Sequence, residues 1–251
     1  GILAGQHFNS ILIGDKSLSK RPMRRITDPL KEMGFSIQSH KGDTPPLMIK
    51  KVEESLPIDY ELPIASAQVK SCLLFASLYT KGKSIIRERN QTRDHTERMF
   101  KKFGIPIKVE YSNLKKSIHV SPPKEIRPCE IDICGDFSSA AFFILATLIS
   151  PDSNVVFKNV GVNETRVGFV DALKKMGANI NIKNLSSDYE PSADIEVKTS
   201  KLKGINLDKS LVSNVIDELP AFFIAAALAE GVTKIQGAEE LRYKESDRLG
   251  S

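Results

Sequence analysis

The sequence has no tryptophan, five tyrosines and three cysteines in 251 residues. With no Trp and so few Tyr, it offers few platforms on which the bases of single-stranded nucleic acid could stack. Cys72, Cys129 and Cys134 are odd in number and form no CxxC pair. That argues against a disulfide framework and a cysteine zinc site, and for reduced thiols. His7, His40, His95 and His119 show no H-x-x-x-H spacing, and the one H-x-E, His95 to Glu97, has no Cys or second His pair to complete a ligand set, so no metal is expected. The phosphate-cradling and nucleophile-elbow patterns GxGxxG, GxxxxGK(S/T) and GxSxG are missing. No apolar run reaches the roughly 20 residues that span a bilayer. The longest, Ala140 to Ile149, is too short, so no membrane partner is expected. No signal-peptide pattern opens the sequence, and a cytoplasmic protein is the expectation.

What is present is ordinary globular composition, 41% hydrophobic and 27% charged. The net charge of +5 favours anions: nucleic acid, a membrane surface or a small phosphorylated metabolite. The basic residues are scattered except in "KSLSKRPMRR" (Lys16 to Arg25). A solvated face and a loose anion patch both fit that cluster.

One segment type recurs. "DPLKEMGF", "ERMFKKFGI" and "DALKKMGAN" read as short amphipathic helices, each stopped by a glycine. Those glycines, Gly34, Gly104 and Gly177, are 70 and 73 residues apart. Between them lie "SAQVKSCLLFASLYTKG", "SSAAFFILATLISPD" and "DELPAFFIAAALAEG", helices apolar nearly all round and therefore expected to be buried. Strand-like "SIIRER", "NVVFKNV" and "TKIQGA" follow them, and "EIDICG" is expected to be a strand preceding Ser138. The period predicts a copied βαβαββ unit and an α+β fold. A break is expected near "ICGDFSS", giving residues 1–134 and 135–251. "GILAGQ" resembles the tail of a buried helix and "SDRLGS" lies within an amphipathic one, so an internal segment of a longer protein is expected.

Several residues could carry chemistry. In "PIASAQVKS", Ser66 is placed either as a plain N-cap or as a ligand contact, with Gln68 in the following turn. In "SNVIDELPAFF", Asp217 reads as an N-cap ahead of Pro220 or as a general base at a helix mouth. Arg21 precedes Pro22, which holds its backbone extended, and a guanidinium there can grip a carboxylate or phosphate in two-pronged fashion. The closing stretch "LRYKESDRLGS" packs five charges into Arg242 to Arg248. Lys244 and Arg248 share a helical face with Glu245 beside them, which suits an exposed ion pair or an anion-binding corner equally. "TRDHTERM" and "NETRVGFV" are charged at the same corner of their copies.

"GDKSLSKRPM", "PPLMIK", "LPIASAQVKSCLL", "TRDHTERM", "GDFSSAAFF", "DELPAFFIAAALAEG" and "EELRYKESDRL" occur in this order. The set resembles the bacterial 5-enolpyruvylshikimate-3-phosphate synthase family over essentially the whole chain. The resemblance implies the enolpyruvyl transferase fold, two similar lobes of βαβαββ units that close on the substrates, with both lobes incomplete here. It implies transfer of the enolpyruvyl group of phosphoenolpyruvate to the 5-hydroxyl of 3-phosphoshikimate with release of phosphate, in the shikimate pathway, without cofactor or metal. A cytoplasmic monomer is expected.

Carried over by motif, the resemblance makes Asp217 the carboxylate at the 5-hydroxyl and Glu245 a proton carrier at the methylene carbon. Ser66, Ala67, Gln68, Thr92, Arg93 and Lys244 would bind 3-phosphoshikimate, together with Asp217. Arg21, Gln68 and Arg248 would bind phosphoenolpyruvate. Thr92 stands where the family has serine. The family's early Lys-Ser motif, its Asn-Ala-Gly-Thr loop and a later arginine and lysine do not occur in this sequence, so the segment alone is expected to turn over poorly. Two other readings are a UDP-N-acetylglucosamine enolpyruvyl transferase relative and a non-catalytic basic nucleic-acid-binding module. The first lacks support because no cysteine precedes "SKRPM".

Overall fold

The protein's structure, a computed structural model, describes residues 1–112, 115–238 and 241. It forms two compact units, Gly1–Glu130 and Ile131–Ser251.

The first unit opens with a 3-10 turn, Ile2–Gly5, whose Ala4 is buried in the core. Strand β1 (Ser10–Leu12), helix α1 (Arg24–Glu32) and strands β2 (Ser36–His40) and β3 (Thr44–Lys50) make a partial copy of the repeat. Its sheet runs β1-β3-β2, antiparallel throughout. A complete copy follows: β4 (Asp59–Glu61), α2 (Ala67–Ser77), β5 (Ser84–Glu88), α3 (His95–Lys102), β6 (Ile107–Ser112) and β7 (Lys115–Val120). Its sheet is ordered β4-β5-β7-β6, with β4 and β5 parallel and the other pairs antiparallel. The parallel pair is what a helix crossover between consecutive strands produces.

The second unit holds α4 (Phe137–Ile149), β8 (Asn154–Gly161), α5 (Gly168–Lys175), β9 (Asn179–Ser186) and β10 (Ser192–Lys198), with sheet order β8-β10-β9. Then come β11 (Asn206–Leu207), α6 (Lys209–Val215), α7 (Leu219–Leu228) and β12 (Lys234–Ile235), with β11 and β12 parallel.

The three expected glycine stops share one geometry. Gly34, Gly104 and Gly177 all have positive φ, at 85°, 69° and 93°. Each glycine N–H donates three residues back, to Lys31, Lys101 and Lys174. The next residue, Phe35, Ile105 or Ala178, donates five residues back to Leu30, Phe100 or Leu173. This is the Schellman arrangement, and glycine supplies its left-handed residue without steric cost. The apolar residue on each side of the lysine and glycine closes the motif over the core, where Leu30, Phe100 and Leu173 are all buried.

Strand faces follow the two-residue period. Lys116, Ile118 and Val120 of β7 point inward, as do Ser84, Ile86 and Glu88 of β5. In the second unit Ala193, Ile195 and Val197 of β10 do the same. Each fully buried Leu or Ile of these cores contributes about 1.5–3 kcal/mol of transfer free energy.

Four expectations change. "EIDICG" forms no strand, only a single parallel bridge between Gly135 and Val160. The pairing ends there because Asp136 turns away to cap α4, accepting from the Ser139 N–H at 2.8 Å. "TKIQGA" shrinks to the two residues of β12 before Gly237 turns the chain with φ of 82°. Helix α6 was not foreseen; it forms because Val212 and Val215 bury one face under the second core. Finally, the Ala-rich helices are not all buried all round. Large apolar side chains stay exposed on α4 (Phe142, and Phe143 at 66%) and on α7 (Ile224, and Leu228 at 60%).

Candidate functional site

In the first unit Ser66 has extended backbone and caps α2, its Oγ accepting from the Val69 N–H at 3.3 Å. The cap uses a lone pair and leaves the hydroxyl proton to be donated elsewhere. Ala67 is half-buried and Gln68 exposed in the first turn of α2. Thr92 and Arg93 lie half-buried in the loop that joins β5 to α3. Two tethers bring this loop to α2. The Thr92 hydroxyl donates to Glu88 Oε2 at 2.6 Å, and Glu88 in turn holds Lys70 of α2 at 3.2 Å. The Ser71 and Thr96 hydroxyls share a hydrogen bond of 2.6 Å. Ser66, Ala67, Gln68, Thr92 and Arg93 thus occupy one corner of the complete copy.

Arg21 is half-buried and follows the 3-10 turn Leu18–Lys20, in the connection from β1 to α1. Its backbone is extended, with φ of −80° and ψ of 132°, as the following proline requires.

In the second unit Asp217 is half-buried in the turn between α6 and α7. It is not the N-cap. Glu218 takes that position, and Pro220 is the second helical residue. Glu218 is buried and accepts from the Ser138 hydroxyl at 2.5 Å. Arg166 donates to the same Ser138 oxygen at 2.5 Å and stands 3.6 Å from Glu218 and 3.8 Å from Asp136. Burial pushes the Asp136 carboxyl up. Hydrogen bonds from the Ser139 hydroxyl and from the Ser139 and Ser138 N–H groups, with the nearby Arg166 charge, more than offset it, so it sits below the usual range. Asp217 is therefore adjacent to a fixed cluster of charges, its chain neighbour being that cluster's acceptor.

Lys244, Glu245 and Arg248 lie outside the described residues, so the geometry of the closing stretch carries no part of this site.

The sequence reading missed Lys70, Glu88, Glu97 and Lys116 in the first unit, and Ser138, Arg166 and Glu218 in the second. Signals existed for some. Lys70 is the one charged residue in the sequence of α2, and the pair Thr92-Arg93 recurs 73 residues later as Thr165-Arg166, the spacing that also separates Gly104 from Gly177. Among the described residues no group of His, Cys, Asp and Glu could hold a metal ion. All three cysteines are free thiols. No described helix is long and apolar enough to cross a membrane.

Known proteins resemble the chain throughout its length. The family model for EPSP synthase (3-phosphoshikimate 1-carboxyvinyltransferase) matches residues 1–251. A 3-phosphoshikimate 1-carboxyvinyltransferase of Hydrogenovibrio crunogenus is 48% identical over 99% of this chain and 56% of its own. A protein of the same name from Coxiella burnetii is also 48% identical, over 100% of this chain and 56% of its own. The structure of EPSP synthase from Acinetobacter baumannii superposes with a TM-score of 0.85 at 45% identity, covering 99% of this chain and 56% of that one. The enolpyruvyl transferase NikO of Streptomyces tendae, at 13% identity and a TM-score of 0.66, shares the fold. The chain thus spans little more than half the length of these relatives. With the βαβαββ copy, the matching motifs and a family model that covers every residue, the chain belongs to the EPSP synthase family.

Proposed function

We infer that this chain is part of a 3-phosphoshikimate 1-carboxyvinyltransferase, which joins the enolpyruvyl group of phosphoenolpyruvate to the 5-hydroxyl of 3-phosphoshikimate and releases phosphate. The observation that carries this reading is the corner formed by Ser66, Ala67, Gln68, Thr92 and Arg93, tied together through Glu88 and Lys70. The Ser66 hydroxyl proton, the α2 first turn and the Arg93 guanidinium offer donors to a phosphate monoester. Residues 1–134 belong to the first lobe and 135–251 to the second.

In this reaction Asp217 takes the 5-hydroxyl proton as that oxygen bonds to C2 of phosphoenolpyruvate, while Glu245 delivers a proton to the methylene carbon. The resulting tetrahedral intermediate loses a proton from the new methyl group as the C–O bond to phosphate breaks. Lys244 neutralises the shikimate side, and Arg21, Gln68 and Arg248 hold the phosphoenolpyruvate anion. No cofactor is needed, and the enzyme works as a cytoplasmic monomer.

Steady-state phosphate release by the full-length protein, given both substrates, tests the reaction. Turnover that needs 3-phosphoshikimate and fails with unphosphorylated shikimate is the expected result. Turnover with UDP-N-acetylglucosamine instead would overturn the assignment.

A further inference from the structure

Four buried charges below the phosphate corner have no part in the reaction above. Lys70 lies in the second turn of α2, Glu88 ends β5, Glu97 lies in α3 and Lys116 is on β7. Lys70 Nζ stands 2.8 Å from Glu97 and 3.2 Å from Glu88. Lys116 Nζ stands 3.0 Å from Glu97 and 3.1 Å from Glu88. Each ammonium therefore bridges both carboxylates, closing a ring of alternating charge with no net charge. Their side chains are 0–4% exposed.

Such a ring is a poor way to stabilise a core. The desolvation of buried ions offsets most of their attraction, and apolar replacements of similar volume are often neutral or stabilising. The second unit does without it. Aligned by helix caps and glycine stops, Lys70 corresponds to Ala140 and Glu97 to Val170. The β-ladder partners Glu88 and Lys116 correspond to the partners Gly161 and Ser192. The fold thus closes over small and apolar residues in one copy and over four charges in the other.

What distinguishes the charged copy is its contact upward. Glu88 Oε2 accepts the Thr92 hydroxyl proton at 2.6 Å. That proton is committed to Glu88, so the Thr92 oxygen has only lone pairs to present to a bound anion. Meanwhile burial pushes the Lys116 ammonium down, and Glu97 and Glu88 more than offset it, leaving it above the ordinary lysine value. Lys116 therefore stays charged at neutral pH.

We propose that Lys70, Glu88, Glu97 and Lys116 are positioning residues for the 3-phosphoshikimate corner, holding residues 89–94 through the Glu88–Thr92 hydrogen bond so that Arg93 is preset for the phosphate. This rests on the reading under Proposed function for its ligand, but the ordering of the loop does not. Thr92 acts here as an anchor, and its hydroxyl does not donate to the phosphate.

The test has two arms on the full-length protein. The first, without ligand, follows amide hydrogen exchange in Thr92→Val, Thr92→Ser, Glu88→Gln and the apolar fourfold variant K70M/E88L/E97M/K116M. Exchange across 89–94 should accelerate about tenfold or more in every variant except Thr92→Ser, with β6 and β7 still protected. Unchanged exchange in a folded Thr92→Val protein overturns the proposal. If the fourfold variant does not fold, the three single variants decide. The second arm measures KM for each substrate. KM for 3-phosphoshikimate should rise about tenfold in Thr92→Val while KM for phosphoenolpyruvate and kcat hold, and Thr92→Ser should restore it. An equal loss for both substrates overturns positioning at this corner. If the unmodified protein shows no response to 3-phosphoshikimate, the functional reading fails and the exchange arm alone decides the ordering.

Discussion

Asp217 and Glu218 are neighbours with opposite duties. Asp217 sits half-buried in a turn, and the role of proton acceptor proposed for it predicts that Asp217→Asn lowers kcat of the full-length protein about 100-fold or more. The thermal midpoint should stay close to that of the parent, which a calorimetric scan would check. Glu218 is buried beneath Ser138 and Arg166. Glu218→Ala strands both partners and should cost about 2 kcal/mol by urea denaturation. The sequence distinguishes neither duty: both are carboxylates just ahead of a helix-opening Leu-Pro pair, and only the structure puts Glu218 at the cap. Glu245 and Lys244, by contrast, lie outside the described residues, and their proposed roles come from the family motif. Asp194 supplies a pH dependence. Bonds from Lys158, Asn184 and the Asn159 N–H hold its carboxyl down at about 2. A depressed carboxyl stabilises the fold above its ordinary range and loses that contribution as pH falls from about 4 through about 2. Urea midpoints of the parent and Asp194→Asn should therefore differ at pH 7 and converge near pH 2.

The amphipathic helices were readable because each carries its stop signal in six residues, from the apolar third-from-last position through lysine to glycine and the next apolar residue. Gly104→Ala places a methyl group in open space at φ of 69°, so its cost is backbone strain alone, about 1–2 kcal/mol. Gly204→Ala should cost more, since its new Cβ would lie 2.5 Å from the Val232 carbonyl oxygen. Chemical denaturation of the two variants ranks them, and equal costs would contradict the close approach. The elements that sequence misjudged are the ones whose pairing depends on distant partners. "EIDICG" alternates like a strand, but one bridge to Val160 is all its partner leaves it. The charged ring was invisible for the same reason: Glu88 and Lys116 meet only because β5 and β7 pair in that register.

Over the whole chain, the repeat, the α+β class and the family were legible, because a 70-residue period and seven ordered motifs are long-range statements that short deviations cannot erase. The extent of burial was not. Helices apolar on every side suggested full burial, yet α4 and α7 leave Phe142, Phe143 and Leu228 open in the second unit. The 251-residue chain should accordingly bind a fluorescent apolar dye, and the F142S/F143S double variant should bind less without losing helicity by circular dichroism. The same chain, spanning about 56% of its relatives' length, should release phosphate far more slowly than a full-length protein in the same assay. The recurring glycine stop bears on how such a molecule comes into being. Because each of these three helices ends by bonds reaching no further than five residues, the place where it stops is written in local sequence and does not depend on β3, β7 or β10, which are made after it. Successive copies can then take shape in the order of synthesis, each with its helix end already specified and its helix made stable when it packs on its sheet.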